Sequence, residues 1–131
     1  MMDTDLTHNQ GMHILVVDDS PAVAQCLKIA LEAAGHTVSL AATFRQAMAI
    51  LEAHPVNAVI ADGEIPTWDP AGPPKAWGPD LTAWCRRIGV RAVLYSASDE
   101  LVAAERTAGG MGVVKPAETR ALLALLGTVS A

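Results

Sequence analysis

Short apolar runs that end in acidic or hydroxyl residues, separated by stretches with helical spacing, constrain this chain more than any other feature. His13-Ile-Leu-Val-Val17 is such a run, closed by Asp18-Asp19-Ser20-Pro21. A run this short and without alternation reads as a strand buried on both faces. The Ser-Pro that follows reads as a helix start, with Ser20 as N-cap and Pro21 at the first helical position, where an N–H would be unpaired anyway. Val23, Cys26, Leu27, Ala30, Leu31 and Ala34 then recur at helical spacing, and Gly35 supplies the left-handed residue that ends the helix.

The same strand-then-helix pattern recurs to the end of the chain. Thr37 to Ala41 is a second strand, and Thr43 caps a helix that carries Phe44, Ala47, Met48 and Leu51 on one face and stops at Pro55. Ala58-Val-Ile-Ala61 is a third strand. Asp80 is expected to cap a helix to about Ile88, Arg91 to Tyr95 to form a fourth strand, and Asp99 to Ala108 a short helix. Gly112 to Val114 gives a fifth strand, and Glu118 to about Gly127 a closing helix. Five βα units within residues 13–127 predict one α/β domain, a doubly wound parallel sheet with right-handed crossovers and helices on both faces. Residues 1–12 and 128–131 read as tails. Between Gly63 and Pro79 lie five of the eight prolines, three glycines and two tryptophans, which predicts an extended ordered loop or lid after the third strand.

Composition narrows the function classes. The 131 residues are 51% hydrophobic, enough for a real core, but only 4% aromatic, so Ala, Val, Leu and Ile must pack it. A net charge of −5 with no basic run argues against a nucleic-acid surface, which needs clustered Lys and Arg. Cys26 and Cys85 stand apart from each other and from any metal-ligand spacing, so they read as small core residues. The first residues are polar and acidic without the basic start of a signal peptide, and no apolar run is long enough to cross a bilayer. The expectation is a cytoplasmic protein without membrane contact.

In a doubly wound sheet, ligands sit outside the carboxyl ends of the strands. Strand one ends in Asp18-Asp19, strand three in Asp62, strand four in Ser96 and strand five in Lys115-Pro116. Three carboxylates, a hydroxyl and an ammonium thus converge on one rim. Clustered carboxylates repel one another unless a cation compensates, and oxygen-only ligands with room for water suit Mg²⁺. Lys115 can pair with a phosphate as a point charge and Ser96 can hydrogen-bond one of its oxygens. His8, His13, His36 and His54 share no strand end and read as structural, and the Gly109-Gly110-Met-Gly112 run precedes a strand and reads as a turn.

Over residues 13 to about 127 the chain resembles the response-regulator receiver family of two-component signalling. The matching motifs, in order, are Val-Val-Asp18-Asp19-Ser, Ile-Ala-Asp62-Gly-Glu-Ile-Pro66, Tyr-Ser96-Ala97 and Val-Lys115-Pro116. The resemblance implies a flavodoxin-like (βα)5 sheet of strand order 2-1-3-4-5. It makes Asp62 the phosphoacceptor and a metal ligand, Asp19 a direct Mg²⁺ ligand, Asp18 a ligand acting largely through water, and the Glu64 backbone carbonyl a further ligand. Ser96 and Lys115 would bind the phosphoryl oxygens. It implies a phosphoprotein in a phosphorelay, not a conventional enzyme, charged by a histidine kinase or phosphotransfer protein and acting on a downstream target protein.

The sequence departs from the family in two stretches: the connection after Asp62 is longer than usual, and the segment from Ser96 to Lys115 is short. In the second, Gly112 stands where receivers commonly carry Tyr or Phe, three residues before the lysine. The glycine leaves open an alternative, a phosphate-independent interaction module that retains the fold. A metal-dependent phosphohydrolase with Glu64 as second acid is a further alternative. Trp68 and Trp77 are expected either to pack over the site or to cover the end of the third helix with Trp84. The run Ala121 to Leu126 in the last helix is wider than one buried stripe, so some of its leucines are expected on the surface. A homodimer through the face of the fourth helix, fifth strand and fifth helix would cover them.

Overall fold

In the computed structural model of the chain, residues 11–127 are described; residues 1–10 and 128–131, and with them most of the two expected tails, lie outside the described residues. Strands β1 (His13–Val17), β2 (Thr37–Ala41), β3 (Ala58–Ala61), β4 (Arg91–Ser96) and β5 (Met111–Val114) alternate with helices α1 (Pro21–Ala33), α2 (Phe44–Ala53), α3 (Trp77–Arg87), α4 (Asp99–Thr107) and α5 (Thr119–Leu126). The sheet order is β2-β1-β3-β4-β5 and every neighbouring pair is parallel, the flavodoxin-like order expected.

Burial explains the strand composition. β3 and all of β1 after His13 are buried, as a central parallel strand covered by helices on both faces requires. Because side chains alternate across a strand, Ile14 and Val16 face one core and Leu15 and Val17 the other. The first core takes Leu27 and Leu31 from α1 and Leu122, Leu123 and Leu126 from α5. The second takes Ala47 from α2 and Leu81 and Cys85 from α3. A helix as short as α5 is marginal alone, so the docking of Leu122 and Leu126 is what holds it. Of its four leucines only Leu125 is exposed, at 38%, which leaves a much smaller apolar patch than the run of leucines suggested.

Caps match the sequence at most ends. Ser20, Thr43 and Ser98 each accept a hydrogen bond from a first-turn N–H. Helices α1, α3 and α4 close on Gly35, Gly89 and Gly109 with positive φ. In each, the next N–H reaches back to a carbonyl inside the last turn, as in Gly110 N–H to Glu105 at 2.9 Å. The start of α3 differs from expectation. Asp80 lies in the first turn and does not cap; the helix begins at Trp77, with no side-chain cap. The Trp77 N–H instead donates to Lys75 at 2.7 Å and the Gly78 N–H to Gly63 at 3.1 Å, while Pro79 has no N–H to satisfy. Tertiary contacts replace the side-chain cap, and the position of Asp80 still suits the helix dipole.

Candidate functional site

The register of the sheet decides what meets at its carboxyl edge. Val17 pairs with Ala61, so Asp18 and Asp62 emerge side by side from β1 and β3, and the Asp62 N–H donates to the Val17 carbonyl at 2.8 Å. Ser96 pairs with Val114, and the Lys115 N–H donates to the Ser96 carbonyl at 2.8 Å. Oxygens of Asp18, Asp19 and Asp62 lie within 4.8 Å of one another. The Lys115 ammonium sits between them, 3.1 Å from Asp18 Oδ2 and 3.4 Å from Asp62 Oδ2. A cavity of about 290 Å³ opens over this group, lined by Asp19, Asp62, Glu64, Ser96, Lys115 and Pro74 among others. All five residues selected from the sequence by their side chains therefore converge.

One ammonium serves two carboxylates, and the electrostatics reflect the shortage. Burial pulls Lys115 toward losing its proton, but the charges of Asp62 and Asp18 outweigh it and hold the ammonium above its ordinary range. Asp62 moves the other way from an ordinary ion-paired acid. Burial and the neighbouring Asp18 charge push its carboxyl up, against the opposing pull of Lys115 and the Glu64 N–H. Both oxygens of Asp18 are already engaged, one by the Ser20 N–H at 2.8 Å and one by Lys115. Asp19 and Asp62, both partly open at the cavity, carry the negative charge that remains.

The donor set fits a hard divalent cation: three carboxylates, no nitrogen or sulfur ligand, and an opening for water. Asp19 and Asp62 can ligate directly. The engagement of Asp18 fits a role through water. Ser96 is buried, and its Oγ accepts from the Ser98 N–H at 3.0 Å, which leaves the hydroxyl proton free to be donated. Ser98 is committed to capping α4.

Sequence reasoning missed the close backbone approaches beneath the site. A Cβ on Gly63 would lie 2.8 Å from Ser96 Oγ and 2.8 Å from Leu101 Cδ1, so the residue after Asp62 must be small. Gly78 is tighter still, its α-carbon facing the Asp62 carbonyl and Gly63. Pro74 was missed as well; it reaches the rim because Ile65 and Lys75 exchange both backbone hydrogen bonds, at 2.9 and 3.0 Å, closing the long loop into a folded unit.

The tryptophans do not form a lid. Neither Trp68 nor Trp77 lines the cavity. Trp77 stacks on Phe44 with ring centroids 4.8 Å apart and donates to Thr67 Oγ1 at 2.9 Å. Trp68 is 68% exposed beneath the Arg45 guanidinium, 4.2 Å from its ring centre. The Phe44 and Arg45 N–H groups need carbonyl partners at the start of α2, and Pro66 and Thr67 supply them, which draws the loop toward α2 and away from the site.

Known proteins share this fold. Residues 14–126 match the family described as the response regulator receiver domain. By sequence alone, no curated protein matches the chain. Among solved structures, a Burkholderia pseudomallei response regulator with a phosphorylated aspartic acid, calcium ion and citrate is 21% identical, with a TM-score of 0.73 over 89% of this chain and 67% of that one. A Thermotoga maritima response regulator in complex with Mg²⁺ and beryllofluoride is 22% identical, with a TM-score of 0.70 over 86% and 94%. A Francisella response regulator receiver domain is 19% identical, with a TM-score of 0.70 over 88% and 93%. At these identities the solved structures speak for the fold, and the family match spans most of the chain: the protein belongs to the response regulator receiver domain family.

Proposed function

We propose that the chain accepts a phosphoryl group on Asp62 and signals through protein contacts. The observation that carries this reading is the Lys115 ammonium held between Asp18 and Asp62 inside a cluster of three carboxylates. Residues far apart in sequence have been brought together at the expense of mutual repulsion, which is an arrangement suited to a cation and an anionic ligand rather than to stability.

Asp62 would act as nucleophile toward the phosphohistidine of a histidine kinase or phosphotransfer protein. A carboxylate oxygen forms the new P–O bond, the donor P–N bond breaks, and the leaving imidazole keeps the electron pair and takes up a proton. Asp19, Asp62, the Glu64 backbone carbonyl and, through water, Asp18 would hold Mg²⁺, which would supply charge neutralisation for the transferring group. Lys115 pairs with a phosphoryl oxygen as Asp62 gives up its charge to the acyl phosphate. Ser96 donates its hydroxyl proton to another. Positioning and electrostatics are the protein's contribution, in keeping with a phosphoacceptor and not a turnover enzyme. The output is contact with a downstream target protein, and Leu125 is one apolar anchor that the α4–β5–α5 face offers either to such a target or to a second copy.

Intact-mass analysis after incubation with Mg²⁺ and acetyl phosphate tests the reading. One phosphoryl group should appear, and none on Asp62→Asn or when EDTA is present. No mass gain on the wild-type chain would favour a phosphate-independent interaction module. Rapid multiple turnover of the donor would favour a phosphohydrolase.

A further inference from the structure

Pro74 is the largest apolar group on the wall of the acceptor cavity, and it comes from the long loop rather than from a strand end. Apart from Ala97, the rest of that wall is carboxylate, hydroxyl and ammonium. Pro74 is exposed, so it stands at the mouth of the cavity and not on its floor. Its placement does not depend on a ligand. Ile65, fully buried in the second core, exchanges two backbone hydrogen bonds with Lys75, the residue after Pro74. The Lys75 carbonyl accepts a further bond from the Trp77 N–H at 2.7 Å, and Trp77 is itself stacked on Phe44. Lys75 is thus tied to the core on one side and to the start of α3 on the other. Its neighbour Pro74, with φ fixed by its own ring, is held in place with it.

The chemistry proposed for this cavity gives such a wall a consequence. Once phosphorylated, Asp62 carries the phosphoryl group outward from the floor, where its side chain is only 17% exposed. Hydrolysis needs a water oxygen to form a bond to phosphorus while the bond from phosphorus to the Asp62 oxygen breaks. The carboxylate keeps the electron pair, and the proton of the water passes to the departing phosphate. Entering and leaving oxygens lie roughly in line, so the water must arrive from the side opposite Asp62, which is the mouth. A water held there needs about two to four polar partners. The pyrrolidine ring supplies none, and Pro74 has no N–H to offer either.

We propose that Pro74 is a specificity-determining residue of the acceptor site: it keeps the attacking water from the mouth of the cavity and so prolongs the life of the phosphoryl group on Asp62. The inference rests on the phosphoacceptor reading and adds the residue that discriminates against water. Pro74 acts by exclusion and is no catalytic residue, since it gives nothing to the reacting atoms.

The whole chain, phosphorylated by acetyl phosphate with Mg²⁺ and then freed of donor by gel filtration, tests it, with loss of the phosphoryl mass followed over time. Pro74→Gly should still be phosphorylated and should lose the group about threefold faster or more. Pro74→Leu, which restores an apolar wall, should return to near the wild-type rate. Pro73→Gly controls for loop flexibility, because Pro73 is exposed and does not line the cavity, while the glycine frees the backbone in the same way. It should decay as wild type does. Should Pro74→Gly fail to fold, Pro74→Ser, whose hydroxyl can hold a water, takes its place. A Pro74→Gly or Pro74→Ser protein that decays at the wild-type rate overturns the wall and leaves the phosphoacceptor reading intact. Equal acceleration in Pro73→Gly or in Pro74→Leu does the same. A wild-type chain that takes up no phosphoryl group overturns both.

Discussion

Replacing Gly78 by alanine separates what helix propensity predicts from what the fold allows. Gly78 is the second residue of α3, and Gly→Ala inside a helix ordinarily gains up to about 1 kcal/mol. The added Cβ would meet the Asp62 carbonyl oxygen, Gly63 Cα at 2.6 Å and the Gly63 carbonyl oxygen at 2.8 Å. All three are backbone atoms of the acceptor segment, which β3 holds in the centre of the sheet, so none can swing aside as a flexible side chain would. Overpacking of this kind costs about 1–3 kcal/mol, and rigid neighbours put the site at the upper end. After the propensity gain is subtracted, a net loss of about 2 kcal/mol remains, equivalent to a fall in Tm of roughly 5–10 °C for a domain of this size. Urea unfolding and a thermal melt measure it, with Gly89→Ala as control. Gly89 has φ of +80° and nothing within 4 Å, so that variant should lose only the roughly 1 kcal/mol of a left-handed non-glycine residue. Phosphorylation of Gly78→Ala from a small donor should also slow, since Asp62 lies in the displaced segment. A Gly78→Ala protein as stable as wild type would refute the close approach of α3 to the acceptor strand.

In EDTA, Asp62→Asn should stabilise the fold at neutral pH: with the folded pKa raised above the ordinary 3.8, the folded state holds its proton more tightly than the unfolded one, so the Asp62 contribution to stability is present at acid pH and lost as pH rises through that window. The gain over wild type should vanish below about pH 4 and shrink when Mg²⁺ is added; an unchanged or lower Tm at pH 7 would contradict this. Toward a thiol reagent, Cys26, which lies exposed on α1 and not in the core as its sequence position suggested, should react in the native protein, while Cys85, fully buried with its thiol pushed up to about 11, waits for unfolding; two equally fast thiols would rule out this burial. Mg²⁺ should leave the tryptophan emission nearly unchanged, because no tryptophan lines the acidic cavity, and a large quench on titration would restore the lid.

Much of this protein was legible in its sequence, because local rules fix local features. Apolar runs of four or five residues made strands, Ser20 and Thr43 made caps, and Gly35 ended a helix by adopting positive φ. Once strands and helices alternate, parallel pairing with covered faces brings strand ends to one edge, so Asp18, Asp62, Ser96 and Lys115 could be grouped before any distance was known. Gly112 was equally plain as a missing side chain. What the sequence could not settle was every feature that depends on who lies opposite. The start of α3 at Trp77 rests on the carbonyls of Lys75 and Gly63, and the turning of the tryptophans toward α2 rests on its unpaired N–H groups and on Phe44. Three of the four leucines of α5 are buried because the first core lies beneath them. The glycines at 110 and 112 leave room for the Arg86–Glu105 pair and for Val102, side chains that come from α3 and α4. Chain-local propensity and period are written in neighbouring residues, whereas tight backbone approach, borrowed caps and the sharing of one ammonium by two carboxylates come into being only when distant segments meet.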